Sequence, residues 1–113
     1  MDGLKLRSRQ WIVNEQGEMV MGEGRKRILE TIEETGSINK AAKLLKMSYK
    51  GVWSRLKATE DHIQARLVRS DGKRGSYVTE EGKALLKKYS RLKEACLKAD
   101  DRIFQAIFSS EEP

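Results

Sequence analysis

Residues 36–60 read GSINKAAKLLKMSYKGVWSRLKATE, two short apolar-periodic segments separated by a break too tight for anything but a turn. Ile38, Ala41, Ala42 and Leu45 fall at i, i+3, i+4 and i+7, the stripe of a helix lying on a core. Ser37 precedes that stripe where a hydroxyl can cap free N–H groups, and Gly36 can close the helix before it. Ala41 and Ala42 are small enough for a second helix to approach closely. Ser48 is a second N-cap candidate, and Tyr49, Val52, Trp53 and Leu56 repeat the spacing. Between them lie Lys50, Gly51, Ser54, Arg55 and Lys57, a polar, basic and unobstructed face suited to a groove lined with phosphates. Leu67-Val68-Arg69 and Ser76-Tyr77-Val78 then flank a turn-rich tip, Ser70 to Gly75, that carries Lys73 and Arg74. Two helices and a following hairpin predict a winged helix-turn-helix, with a recognition helix over 48–63 and a wing over 67–78.

Charge is concentrated on the same stretch. The 113-residue chain has a net charge of +6, yet residues 40–74 alone hold ten Lys/Arg against three acids, a net of +7. The other residues hold thirteen basic and fourteen acidic groups, so the whole basic excess sits in the helix-turn-helix and wing. That is the electrostatic footprint of polyanion binding; charge alone fits a solvated Lys-rich surface equally well, but together with the helix and wing pattern it points to double-stranded DNA. Chain length allows one modest core. No run approaches the ~18 apolar residues of a membrane span, and the first residues lack the apolar core of a signal peptide. Cys96 is the single cysteine, which fits a reducing cytoplasm, and His62 the single histidine, so no metal-ligand cluster is expected. Asp100-Asp101 and Glu80-Glu81 are adjacent surface carboxylates rather than a convergent acid–base pair, and no phosphate loop or nucleophile elbow occurs. An enzyme is not expected, nor a cofactor.

Upstream, Leu4-Lys5-Leu6-Arg7 and Trp11-Ile12-Val13 predict an opening strand, Asn14 to Gly17 a turn, and Met19-Val20-Met21 a second strand. Gly22-Glu23-Gly24 breaks the pattern, and Arg25 to Thr35 predicts a first helix on Ile28, Leu29 and Ile32. Downstream, Thr79 caps a final helix over about residues 80–108. Leu85, Tyr89, Leu92, Cys96, Ala99, Ile103 and Ala106 step by 4, 3, 4, 3, 4, 3, a heptad seam. A helix of that length extends about 40 Å, further than the small core beneath it reaches, which points to pairing with a second copy. Trp11 joins the expected dimer interface. The fold class is thus mainly α with small β-hairpins. Residues 1–79 form the strands and winged helix-turn-helix and 80–113 the long dimerisation helix and tail, one structural domain in all.

The motif GSINKAAKLLKMSYKGVW resembles the N-terminal DNA-binding domain of ModE-type molybdate-responsive regulators. The resemblance extends to Gly22–Arg25 and Glu34–Ile38 upstream and to LVRSDGKRGSYVTEEGKALL, residues 67–86, downstream, covering about residues 4–90. Ser48, Tyr49, Lys50 and Trp53 are its most specific part. The wing holds less glycine than is usual in that family, and Ala58-Thr59-Glu60 stands where an Asn is common. LysR-type regulators have a similar helix-turn-helix and wing, and AAKLLKMS fits them also. The resemblance implies a dimeric, operator-binding transcription regulator. The molybdate-binding domains of full-length members have no counterpart in these residues, so any signal is expected from a separate effector-sensing partner or from protein abundance.

The candidate DNA contacts are Ser48, Tyr49, Lys50, Ser54, Arg55, Lys57, Lys73 and Arg74. Ser48, Lys50 and Ser54 lie at the start of the recognition helix, whose first turns are expected at base edges, with Lys50 on a phosphate or a guanine. Tyr49 has two readings, core contact across the turn or ring and hydroxyl on DNA. Arg55 and Lys57 lie further along and suit phosphates, and Lys73 and Arg74 suit phosphates or the minor groove. Trp53 is expected in the core. Two other functions compete: a sequence-indifferent architectural or nucleic-acid-binding protein, and a winged helix used as a protein-interaction adaptor.

Overall fold

The computed structural model describes residues 2–109, with Arg74 described for its backbone alone. The elements run β1 (Ile12–Val13), β2 (Met19–Met21), α1 (Glu23–Thr35), α2 (Ile38–Leu44), α3 (Tyr49–Ile63), β3 (Val68–Ser70), a single 3-10 turn (Gly72–Arg74), β4 (Ser76–Val78) and α4 (Glu80–Phe108). Two antiparallel hairpins, β1–β2 and β3–β4, border a three-helix core. Ile28, Leu29 and Ile32 of α1 meet Ile38, Ala41 and Ala42 of α2 and Val52 and Leu56 of α3, all buried. Met21, Leu67, Val68, Val78, Leu86 and Tyr89 close the cluster from the hairpins and α4.

The caps explain the boundaries. Ser37, Ser48 and Thr79 accept from the backbone N–H of Lys40, Gly51 and Gly82 and start α2, α3 and α4. Gly36 ends α1 in the left-handed conformation that a residue without Cβ adopts freely. Lys46 (φ 56°) and Gln64 (φ 57°) take the same conformation after α2 and α3, although neither residue type advertises it.

Three expectations need correction. The opening strand is only Ile12–Val13; Leu4 and Leu6 are exposed and flank a groove against Leu97 and Phe104 of α4. This N-terminal strap is held by Ser8 Oγ donating to Asp100 (2.6 Å) and Tyr89 Oη donating to the Gln10 carbonyl (2.6 Å), contacts no strand pattern encodes. Glu23-Gly24 does not interrupt the helix but begins it: Glu23 favours the first turn of α1 electrostatically and reaches Lys93 Nζ at 2.8 Å. Trp53 is half-buried at the edge of the cluster rather than within it, with Tyr49 edge-on to its ring at 6.5 Å.

The end of α3, Ala58-Thr59-Glu60, is an anchor. Thr59 and Glu60 are both buried. Thr59 Oγ1 donates to the Val20 carbonyl at 2.6 Å, and the Glu60 carboxylate accepts from the Leu67 N–H at 2.7 Å with Arg66 Nε at 3.8 Å. Burial of a carboxylate is tolerated because these donors replace water.

Next to this anchor, α4 enters the core through Gly82. A Cβ there would lie 2.6 Å from both the Leu67 carbonyl oxygen and Val78 Cγ1, and neither backbone nor a packed valine can yield. In an open helix Gly→Ala gains about 1 kcal/mol. Here overlap outweighs propensity, and Gly82→Ala is expected to cost a net ~1–3 kcal/mol, seen as a lowered melting temperature in thermal denaturation.

Candidate nucleic-acid interface

Lys50, Ser54, Lys57 and Asp61 stand at i, i+4, i+7 and i+11 on α3, and all four are exposed. The opposite face is pinned by Val52, Leu56, Thr59 and Glu60. The helix is therefore seated on one side and bare on the other. Lys57 pairs loosely with Asp61 at 3.7 Å, a fully solvated contact that a phosphate can replace. Gly51 opens the approach at the first turn; a Cβ there would lie 2.9 Å from Ser48 Oγ and 3.3 Å from Arg55 Nη1.

Of the predicted residues, Ser48 has a double role. Its Oγ accepts from Gly51 N–H at 2.9 Å, so the oxygen is committed to the cap while the hydroxyl proton stays available to an acceptor. Tyr49 is 47% exposed, which removes it from the core and leaves its ring beside Trp53 on one flank of the basic face. Arg55 occupies the other flank, its Nη1 donating to the Gly51 carbonyl at 3.0 Å.

The wing registers Val68 with Val78, Arg69 with Tyr77 and Ser70 with Ser76. Strand alternation turns both valines inward and leaves Arg69 and Tyr77 exposed, two residues that the sequence reading passed over although the period of two was visible. Lys73 is exposed at the tip; the side chain of Arg74 lies outside the described residues. The tip closes through Asp71 N–H to the Gly75 carbonyl at 2.7 Å. Ser76 N–H donates to the Gly36 carbonyl at 2.9 Å, which ties the wing to the α1–α2 junction. Gly75, at φ 87°, permits that approach, since a Cβ would overlap the Gly36 carbonyl oxygen.

The predicted interface along α4 divides. Tyr89 is 1% exposed and belongs to the subunit's own core, and Leu85 is half-buried beside it. Beyond them the helix shows two stripes. One, with Leu97, Asp100 and Phe104, faces the N-terminal strap. The other includes exposed Leu92 (43%) and Ile103 (56%) with half-buried Cys96 and Ala99. Trp11, just before β1, is 58% exposed and lines a cleft with Tyr89 and Lys93 of α4. Among the described residues no group of three His, Cys, Asp or Glu could hold a metal ion, and no helix is long and apolar enough to cross a membrane.

A seated helix with a bare basic face, a turn before it and a two-stranded wing after it define the winged helix-turn-helix class of DNA-binding domain. Within that class the chain belongs to the bacterial regulatory helix-turn-helix proteins of the lysR family, whose model matches residues 25–83. It is also 33% identical over 91 residues to the molybdenum transport protein ModE of Azotobacter vinelandii, a match covering 77% of this chain and 34% of that protein. The chain thus spans about a third of the length of that relative. Among solved structures it is similar to the CbnR DBD in complex with DNA (TM-score 0.60, 25% identity, 77% of this chain and 99% of that one). Full-length CbnR complexed with its target DNA matches with TM-score 0.59 and 26% identity over 76% of this chain and 30% of that one. Full-length LysG from Corynebacterium glutamicum with bound effector Arg matches with TM-score 0.54 and 26% identity over 82% and 31%.

Because Ser48 caps α3, Ser48→Ala should destabilise the protein by about 1 kcal/mol even without DNA. Chemical denaturation of the free protein checks this; unchanged stability would show that the cap contributes nothing.

Proposed function

We propose that this chain binds a specific DNA operator as a homodimer and so acts as a transcription regulator. The observation that carries the reading is the exposed Lys50, Ser54, Lys57 face of α3, set on a buried anchor and followed by the basic wing. Lys50 and Ser54, with Tyr49 beside them, read base edges in the major groove; Arg55, Lys57, Lys73 and Arg74 hold phosphates. Two copies pair along α4 through Leu92, Cys96, Ala99 and Ile103, with Trp11 adding from the hairpin. The family membership and the likeness to a DNA-bound CbnR support this assignment.

Selection of binding sites from random DNA should return an inverted repeat with half-sites about one helical turn, or a multiple of it, apart. On the selected duplex Lys50→Ala should cost roughly 1–3 kcal/mol and on random DNA little. Lys73→Ala should weaken both duplexes alike and lower the salt dependence by about one unit per subunit. Equal behaviour of the two variants would instead favour a sequence-indifferent binder.

Sedimentation of the free protein should give twice the 12.9 kDa chain mass at micromolar concentration. Ile103→Asp places a charge on the seam and should shift the equilibrium to monomer. A wild-type protein that remains monomeric, alone and on DNA, would eliminate the paired-helix arrangement.

A further inference from the structure

Beside the proposed interface lies a cleft of about 590 Å³ between the N-terminal strap, the start of α1 and the flank of α3. Arg9, Arg25, Arg27, Arg55 and Lys93 line it, with Glu23 as the one acid. Glu23 is already engaged: Lys93 Nζ stands 2.8 Å from its carboxylate and holds its pKa below the usual carboxylate value. The four arginines form no ion pair with any carboxylate among the described residues.

Arg25 and Arg55 are the informative pair. Arg25 Nε donates to the backbone carbonyl of Arg55 at 3.2 Å, which fixes a half-buried guanidinium from α1 against the recognition helix. Arg55 is fixed in turn by its bond to the Gly51 carbonyl. Each bond uses one N–H of a guanidinium, leaving a fork of donors on both. Burial, and then the charge of Arg55, push the Arg25 pKa down, so two like charges are held together in a partly desolvated place. Such a pair is unfavourable in the free protein and becomes favourable when an anion bridges it. The start of α1 borders the same cleft, its first turn lacking a side-chain cap at Gly22.

We propose that Arg25 and Arg55 together clasp one phosphate of the DNA backbone, extending the interface beyond the helix-turn-helix and wing to the first helix. This rests on the operator-binding reading of α3. DNA is the source of the phosphate because Arg55 rides on the flank of the groove-facing helix, where the backbone bordering the groove passes. Arg25 fastens the start of α1 to that flank and sets the position of α3 along the groove.

The test uses the full chain, a selected duplex and a random duplex, with binding measured by fluorescence anisotropy across sodium chloride concentrations. Arg25→Gln should weaken both duplexes alike. Arg25→Gln should also lower the salt slope, and in the Arg25→Gln/Arg55→Gln double variant, which frees one phosphate per subunit, the ratio of wild-type to variant affinity should shrink about tenfold between 50 and 200 mM salt. Arg25→Lys, which keeps the charge, should restore the salt slope, whereas a merely structural role would lower the melting temperature without changing the slope. A slope identical in Arg25→Gln and wild type overturns the proposal while leaving Lys50-dependent operator binding intact. Failure of the wild type to bind either duplex would overturn the underlying reading with it. Calorimetric titration with inorganic phosphate separates the sources. Saturable heat in the wild type that is lost in Arg25→Gln, with the DNA salt slope unaltered, would assign the site to a free anion and overturn the DNA assignment.

Discussion

Three elements of this protein meet at Leu67, and their relative placement depends on the polar bonds made there. Leu67 N–H donates to the buried Glu60 carboxylate, the Leu67 carbonyl accepts from Thr79 N–H at 2.9 Å, and Thr79 Oγ1 donates to the Arg66 carbonyl at 2.5 Å. Thr79 also caps α4. One residue pair, Glu60 and Thr79, therefore joins the end of the recognition helix, both wing strands and the start of the long helix. Polar groups so enclosed are costly to leave unmatched, so the junction has few alternative arrangements. Wing, α3 and α4 are thereby joined through one set of buried polar bonds.

The basic face of α3 gains its meaning from what lies behind it. Lys50, Ser54 and Lys57 would be an ordinary solvated face on an isolated helix. Thr59 bonded to Val20 and Glu60 bonded to Leu67 hold the helix by its far end, while Ser48 caps the near one. The wing is braced separately, through Ser76 and the Gly36 carbonyl. With the backbone held at both ends, only side-chain rotamers are left to be ordered when this face takes a partner.

Along α4 the division into two stripes resolves a conflict in its pattern. The heptad through Tyr89 looked continuous, yet Tyr89 is spent on the subunit's own core and on the Gln10 carbonyl. The N-terminal strap covers the adjoining stripe through Asp100 and Phe104. The exposed apolar residues that remain, Leu92 and Ile103 among them, continue the Leu85–Tyr89 seam and lie roughly 100° around the helix from the strap-covered stripe.

Most of the local structure was legible in the sequence. Serine and threonine caps, the 3.6-residue stripes of α1 and α2 and the glycine-bearing tip located the helix-turn-helix and wing within a residue or two, because each signal acts over a single turn of chain. The excess of lysine and arginine in residues 40–74 marked the candidate face for the same reason: charge and spacing are properties of the sequence itself. Three-dimensional contact decided the rest. Trp53 and Tyr49 fall on the predicted apolar stripe but sit at its edge, since Val52, Leu56, Thr59 and Glu60 make the buried face of the helix. Leu4 to Gln10 became a strap because α4 offered side-chain partners that no strand offered. Arg25 stands beside Arg55, thirty positions away, through the packing of α1 on α3, and no periodicity within either helix encodes such a pairing.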